Sequence, residues 1–151
     1  MQFQAKLLVI VSACALSFAA LPAFAKKSPI EQALVCKDQT DCPYFPVVYK
    51  GDRAFKTAFL TELKKSGIKA PHWVPNGVSS PVVPVVFDGV TRLLTSVCQP
   101  HNCGEHRFVM LYDAQNKSIS GLYIHGAENG VPVKTYFGNP SIAEQEILNK
   151  D

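Results

Sequence analysis

The sequence lacks any cluster of like charges. Its 15 lysine and arginine residues and 12 aspartate and glutamate residues give a formal net charge of +3, and they are scattered along the 151 residues. Proteins that bind nucleic acid usually concentrate their basic residues in a patch or a stripe. The charge distribution therefore argues against nucleic acid as a partner.

Long hydrophobic runs are also scarce. The longest, residues 7–21, follows Lys6 and precedes Ala23-Phe24-Ala25. At about 15 residues it is shorter than the roughly 20 that a membrane-spanning helix needs. A basic residue, an apolar run and an A-x-A site are typical of a secretory signal peptide. We therefore expect cleavage after Ala25, a single mature domain of residues 26–151 and no membrane span. A membrane anchor is the alternative.

Cysteine occurs only five times, and one of the five lies within the expected signal peptide. That residue, Cys14, could instead mark a lipoprotein signal. The mature chain keeps an even set of four, and an exported protein with an even number of cysteines is expected to form disulfides. Each cysteine has one near neighbour, so the expected pairs are Cys36 with Cys42 and Cys98 with Cys103.

One helix is clearly predicted. Between Asp52 and Lys65 the apolar residues recur at three- and four-residue spacing, and Gly67 follows as a stop signal. A shorter helix is expected after Ser141, because Ser141 and Glu144 have the spacing of a capping box.

The region between these helices is rich in β-branched and aromatic residues separated by turn signals, which is typical of strands. The joins are short enough for hairpins and so favour antiparallel pairing. We predict an α+β fold: about five antiparallel strands with helices packed on one face and a protruding loop closed by a disulfide. The predicted strands are residues 82–87, 90–97, 107–113, 118–125 and 131–137.

The loop between the second and third of these strands holds the only candidate site. Its residues are Cys98, Gln99, Pro100, His101, Asn102 and Cys103. A disulfide across six residues restricts the unfolded chain by about 2 kcal/mol in the chain-entropy model. Proline fixes its own φ and restricts the residue before it. We therefore expect a rigid loop with His101 near its tip.

Four interpretations of this loop compete. A catalytic site would use a thiol or His101 or His106 as a base, but no companion nucleophile or orienting group stands nearby, so we expect no enzymatic activity and no cofactor. A zinc site of two cysteines and the two histidines would be more tightly spaced than usual, and we expect no metal. The loop could also be a simple structural staple, or a preorganised plug that enters the cleft of a partner.

A resemblance favours the plug. The loop with Gly104 is similar to that of the inhibitor of vertebrate lysozyme family, in which two cysteines enclose a basic residue, proline, histidine and an acidic residue or asparagine. Flanking segments are similar in the same order, so the resemblance covers roughly residues 49–137. These segments are residues 54–59, 70–74, 108–112 and 120–123.

The resemblance implies a periplasmic inhibitor of C-type lysozymes whose loop enters the substrate cleft. His101 would then engage both catalytic carboxyl groups of the enzyme. Endogenous lytic transglycosylases are an alternative target, a metal-binding or structural envelope domain is an alternative function, and a homodimer is left open.

The chain departs from the family loop by having Gln99 where a basic residue is usual and Asn102 where an acidic one is frequent, which leaves the affinity for any given lysozyme open. The pair Cys36 and Cys42 is unfamiliar in the family and is expected to be a local staple. Trp73 is expected to be in the core.

Overall fold

Six antiparallel strands form one sheet in the computed structural model, which describes residues 26–150. The expected signal peptide lies outside the described residues. The sheet has the order β1-β3-β4-β5-β6, and β2 also pairs with β3. The strands are β1 (Val78–Ser79), β2 (Val83–Phe87), β3 (Val90–Cys98), β4 (His106–Asp113), β5 (Ser118–Glu128) and β6 (Val131–Phe137).

The sheet edge next to β3 is made of two short strands placed end to end. Val78 of β1 lies opposite Cys98, and Val83 of β2 lies opposite Leu94. Pro81 lies between the two strands and has no N–H to donate to the sheet. The five predicted strands are therefore confirmed as β2 to β6, and the two-residue strand β1 before Pro81 was not predicted.

Four α-helices accompany the sheet within the described residues: α1 (Pro29–Val35), α2 (Phe45–Gly51), α3 (Arg53–Lys65) and α4 (Ile142–Leu148). Two short 3-10 helices cover Gln39–Asp41 and Val74–Asn76. In residues 26–150, no helix has both the length and the apolar character required to cross a membrane.

The predicted amphipathic helix is α3. The Asp52 side chain caps it by accepting the N–H of Phe55 at 2.8 Å, as expected for an N-cap aspartate. Phe55 and Phe59 are fully buried and meet aromatic rings of the sheet edge-on, with centroids 5.0 Å from Tyr112 and 5.4 Å from Phe108. Such pairs contribute about 1 kcal/mol each beyond the area that they bury.

The α+β class is confirmed, but one detail of the predicted arrangement is corrected. Helices α1 to α3 pack against one face of the sheet, whereas α4 packs against the other, where Leu148 joins Val109 and Leu111. The reason is that residues Phe108 to Tyr112 of β4 are buried without interruption, so both faces of this strand need cover. The capping box of Ser141 and Glu144 starts α4 as predicted.

A buried acidic residue ends β4. The Asp113 carboxylate forms an ion pair with Arg92 and accepts hydrogen bonds from the N–H groups of Gln115 and Asn116 at 2.9 and 3.0 Å. Burial disfavours its charged form, but hydrogen bonds from Asn116, the charge of Arg92 and the N–H of Gln115 outweigh burial and lower the pKa of the Asp113 carboxyl. The carboxylate thus closes the β4–β5 turn.

Acid should therefore destabilise the domain through Asp113. A carboxyl group whose pKa is lower in the folded state stabilises the fold fully above the unfolded value of about 3.9, and this contribution is lost as pH falls through the folded value. We expect Asp113→Asn to lower the thermal midpoint at pH 7 and to flatten its decline below about pH 4. Thermal unfolding of both proteins between pH 2 and 7 measures this difference. Parallel declines of the two midpoints below pH 4 would contradict it.

Candidate functional site

A disulfide closes the connection between β3 and β4. Cys98, the last residue of β3, is joined to Cys103, and their Cα atoms are 4.9 Å apart. The second predicted pair is also formed, with Cα atoms of Cys36 and Cys42 5.3 Å apart. Residues 98–103 are called the disulfide loop below. They extend from one end of the sheet, since β3 ends at Cys98 and β4 begins only at His106.

The tip of the disulfide loop is a tight turn with a histidine at its corner. The N–H of Asn102 donates to the carbonyl of Gln99 at 3.0 Å, Pro100 is the second residue of the turn, and His101 is the third with φ of +66°. This arrangement matches a type II turn, whose third position favours glycine. An L-residue held there costs roughly 1–2 kcal/mol. His101 is exposed, and backbone strain of this kind is found most often at functional sites.

The arms of the disulfide loop are held by backbone hydrogen bonds. The N–H of Gln99 donates to the carbonyl of His106 at 2.9 Å, and the N–H of His106 donates to the carbonyl of Asn102 at 3.0 Å. The carbonyl of Glu105 accepts the N–H of Gly126 from β5 at 2.8 Å. Together with the disulfide, these bonds hold the loop in one conformation before any partner arrives.

Gly77 lies behind the base of the disulfide loop. A Cβ atom at this buried position would approach the carbonyl oxygen of Cys98 to 2.5 Å and Cγ2 of Val97 to 2.8 Å. Because real Cβ atoms do not come so close to backbone, only glycine fits without shifting the start of the loop. The segment before β1 thereby supports the position of the disulfide loop.

The predicted site residues lie together but differ in exposure. Pro100 and His101 are exposed, whereas Gln99 and Asn102 are half-buried. The Asn102 amide nitrogen donates to a carboxylate oxygen of Glu105 at 3.4 Å, so the residue that replaces an acidic one in the family loop contacts an acidic side chain three residues further along. The imidazole of His101 is thus the principal functional group offered at the tip.

The disulfide contradicts the zinc site and the version of the catalytic site that uses a thiol. Cys98 and Cys103 are bonded to each other, so they provide neither a nucleophilic thiol nor thiolate ligands for zinc. In the part of the chain that the structure describes, no three histidine, cysteine or acidic side chains are grouped as a metal site would require.

Trp73 and two further histidines lie outside the disulfide loop. Trp73 is 8% exposed and packs on Phe108 with ring centroids 5.8 Å apart, which confirms its place in the core. His125 stacks on Tyr123 at 4.9 Å and shares a hydrogen bond of 2.9 Å with the Thr135 hydroxyl. Burial raises the pKa of the Tyr123 phenol. His72 is exposed.

Sequence reasoning missed the contributions of Gly77, Glu105 and Gly126 to the loop. All three act through backbone atoms or the lack of a side chain, and such contacts leave little signal in residue type. The predicted strands 118–125 and 131–137 leave Gly126 in the join between them, whereas β5 continues to Glu128 and the turn is Asn129-Gly130. That dipeptide is a usual hairpin signal.

The sequence around the disulfide loop is similar to that of a known protein family. The model of the family described as inhibitor of vertebrate lysozyme matches residues 62–136, about half of the chain, and the match includes the whole disulfide loop. The protein named inhibitor of vertebrate lysozyme from Pseudomonas aeruginosa is 29% identical over 91 residues, which are 53% of this chain and 60% of that protein. Its namesake from Escherichia coli is 31% identical over 58 residues, 38% of this chain and 37% of that protein.

The aligned segments thus span 60% or less of these relatives. The family match runs from the last turn of α3 through the disulfide loop to β6, and together with these relatives it shows that the chain belongs to the inhibitor of vertebrate lysozyme family.

Proposed function

We propose that the domain inhibits a C-type lysozyme by inserting the disulfide loop into the substrate cleft of the enzyme. The observation that carries the proposal is the conformation of His101, an exposed histidine held at φ of +66° on a turn that is locked by a disulfide. A turn that served only to connect two strands would be more stable with glycine there. The family relatives, each named inhibitor of vertebrate lysozyme, support the same conclusion.

The chemistry of the cleft suits an imidazole. A lysozyme has a carboxylic acid of raised pKa and a second carboxylate that stays ionised, and in retaining glycosidases the two groups are about 5 Å apart. The two imidazole nitrogens of His101 lie on different sides of one ring, and each can form a hydrogen bond of about 2.8 Å. One side chain can therefore engage both catalytic groups and exclude the sugar.

Preorganisation supplies much of the expected affinity. Binding usually costs about 1 kcal/mol for each mobile side chain that becomes ordered, and a flexible loop adds its backbone entropy. Here the disulfide and the backbone hydrogen bonds of Gln99, His106 and Glu105 have already fixed the loop. The domain itself needs no catalytic group for this task, so we propose that it is an inhibitor and not an enzyme.

We also propose that the mature domain works in the periplasm. Support comes from the expected signal peptide of residues 1–25 and from two disulfides, which persist in oxidising compartments. An inhibitor placed there would meet a lysozyme before the enzyme has degraded the cell wall.

The test is a titration of purified residues 26–151 against a C-type lysozyme that is clearing a suspension of bacterial cell walls. We expect inhibition at micromolar concentration or below. The same titration against a lytic transglycosylase provides the specificity control. Inhibition of the transglycosylase alone would contradict the proposed target, and inhibition of neither enzyme would contradict the function.

A further inference from the structure

Two exposed valines flank the disulfide loop. Val78 on β1 is 56% exposed and lies opposite Cys98, and Val131 at the start of β6 is 66% exposed. The β3–β4 and β5–β6 connections lie at the same end of the sheet because consecutive strands alternate in direction. The sheet order therefore places the disulfide loop between the two valines.

The hairpin that carries Val131 is tied to the disulfide loop. The N–H of Gly126 donates to the carbonyl of Glu105 at 2.8 Å, beside a bulge between Ile124 and Ala127. The hairpin then closes through Asn129 and Gly130, whose φ values of +53° and +78° fit a tight type I′ turn. At roughly 3.3 Å per residue and about 4.8 Å between strands, Val131 lies within about 10 Å of Gly126.

The disulfide loop alone is too small to form a stable protein interface. A complex of standard size uses about 20–30 residues and roughly 800 Å² from each partner, whereas only four residues lie between Cys98 and Cys103. An enzyme that accepts the loop must approach this end of the sheet closely. The surfaces beside the loop are then the next to be covered.

We propose that Val78 and Val131 are the apolar flanks of the inhibitory surface and contact the lysozyme around the rim of its cleft. This inference rests on the proposed function and assigns the same partner to both flanks. Burying an exposed valine in such a contact strengthens binding by roughly tenfold. An aspartate in its place would lose this gain and bring a charge that must be desolvated.

The test compares three valine substitutions of the mature protein by measuring the Kd for a C-type lysozyme. We expect Val131→Asp and Val78→Asp each to weaken binding at least tenfold, mainly through faster dissociation. Val86→Asp is the matched control because Val86 is 71% exposed on β2 opposite Thr91, away from the loop end of β3, and its Kd should be unchanged. Thermal midpoints verify folding, and Val131→Thr, which keeps the branched shape, replaces the aspartate variant if that variant unfolds.

The outcomes separate this inference from the proposed function. If both flank variants bind as tightly as the natural protein while His101→Gly does not, the loop mechanism stands and the flanks are overturned. If the natural protein does not bind lysozyme, both proposals fail. If light scattering shows a homodimer that Val131→Asp dissociates without changing the Kd for lysozyme, a second copy covers the flank and the inference is overturned.

Discussion

Replacement of His101 by glycine should weaken lysozyme inhibition at least 100-fold without destabilising the domain. Hydrogen bonds to charged groups contribute about 1.5–3 kcal/mol each, so the loss of two corresponds to more than a 100-fold change in affinity. Glycine relieves the strain of the φ of +66°, although it also gains freedom in the unfolded chain. The thermal midpoint should therefore stay the same or rise, so the loss of inhibition cannot be attributed to unfolding.

His101→Asn is the companion variant. Asparagine adopts the left-handed conformation more readily than most residues, but its short side chain cannot bridge two carboxyl groups about 5 Å apart. Inhibition constants and thermal midpoints of the three proteins are the measurements. If the glycine variant inhibits as well as the natural protein, the imidazole is not the active group. If both variants unfold at markedly lower temperature, the turn geometry is wrong.

Removal of the loop disulfide should weaken inhibition as well as lower the free energy of unfolding. In Cys98→Ala/Cys103→Ala the loop is free to sample other conformations, and we expect inhibition to weaken at least tenfold because binding must now order it. The chain-entropy model also predicts a loss of about 2 kcal/mol in the free energy of unfolding. Replacing both cysteines leaves no free thiol to form mispaired bridges.

The second disulfide provides a matched control. Cys36→Ala/Cys42→Ala opens a loop of almost the same length, with a sequence separation of 6 instead of 5. Its loss should therefore destabilise the domain by a similar amount while the inhibition constant at 25 °C stays within about twofold. Equal losses of inhibition in the two double variants would show that general destabilisation, and not loop order, determines binding.

Local patterns predicted the elements that shape the site. The spacing of apolar residues predicted α3, and the nearness of Cys98 to Cys103 predicted the loop disulfide, because each feature depends on residues close in sequence. The helix α2 was missed since its two adjacent valines favour strands. Pro46 in its first turn suits a helix start, and packing of Phe45 and Tyr49 into the core stabilises the helix.

Long-range placement was harder to predict. Nothing near Leu148 in the sequence indicates which face of the sheet α4 covers. Ile142, the apolar first residue of α4, is 79% exposed, so residue type alone does not identify the buried side of this helix. At the site itself, Pro100 indicates a turn but leaves its type open. The positive φ of His101 could not be inferred, since histidine is not a residue that this turn position favours.

The most direct test of cleft insertion is competition between the domain and a soluble oligosaccharide that occupies the substrate cleft of lysozyme. The Kd of the complex is measured at increasing oligosaccharide concentration. If the disulfide loop and the sugar share the cleft, the apparent Kd rises linearly with the oligosaccharide concentration and does not level off, and the rate at which the preformed complex dissociates is unchanged. A Kd that stays constant at saturating oligosaccharide would contradict insertion of the loop and His101 into the cleft.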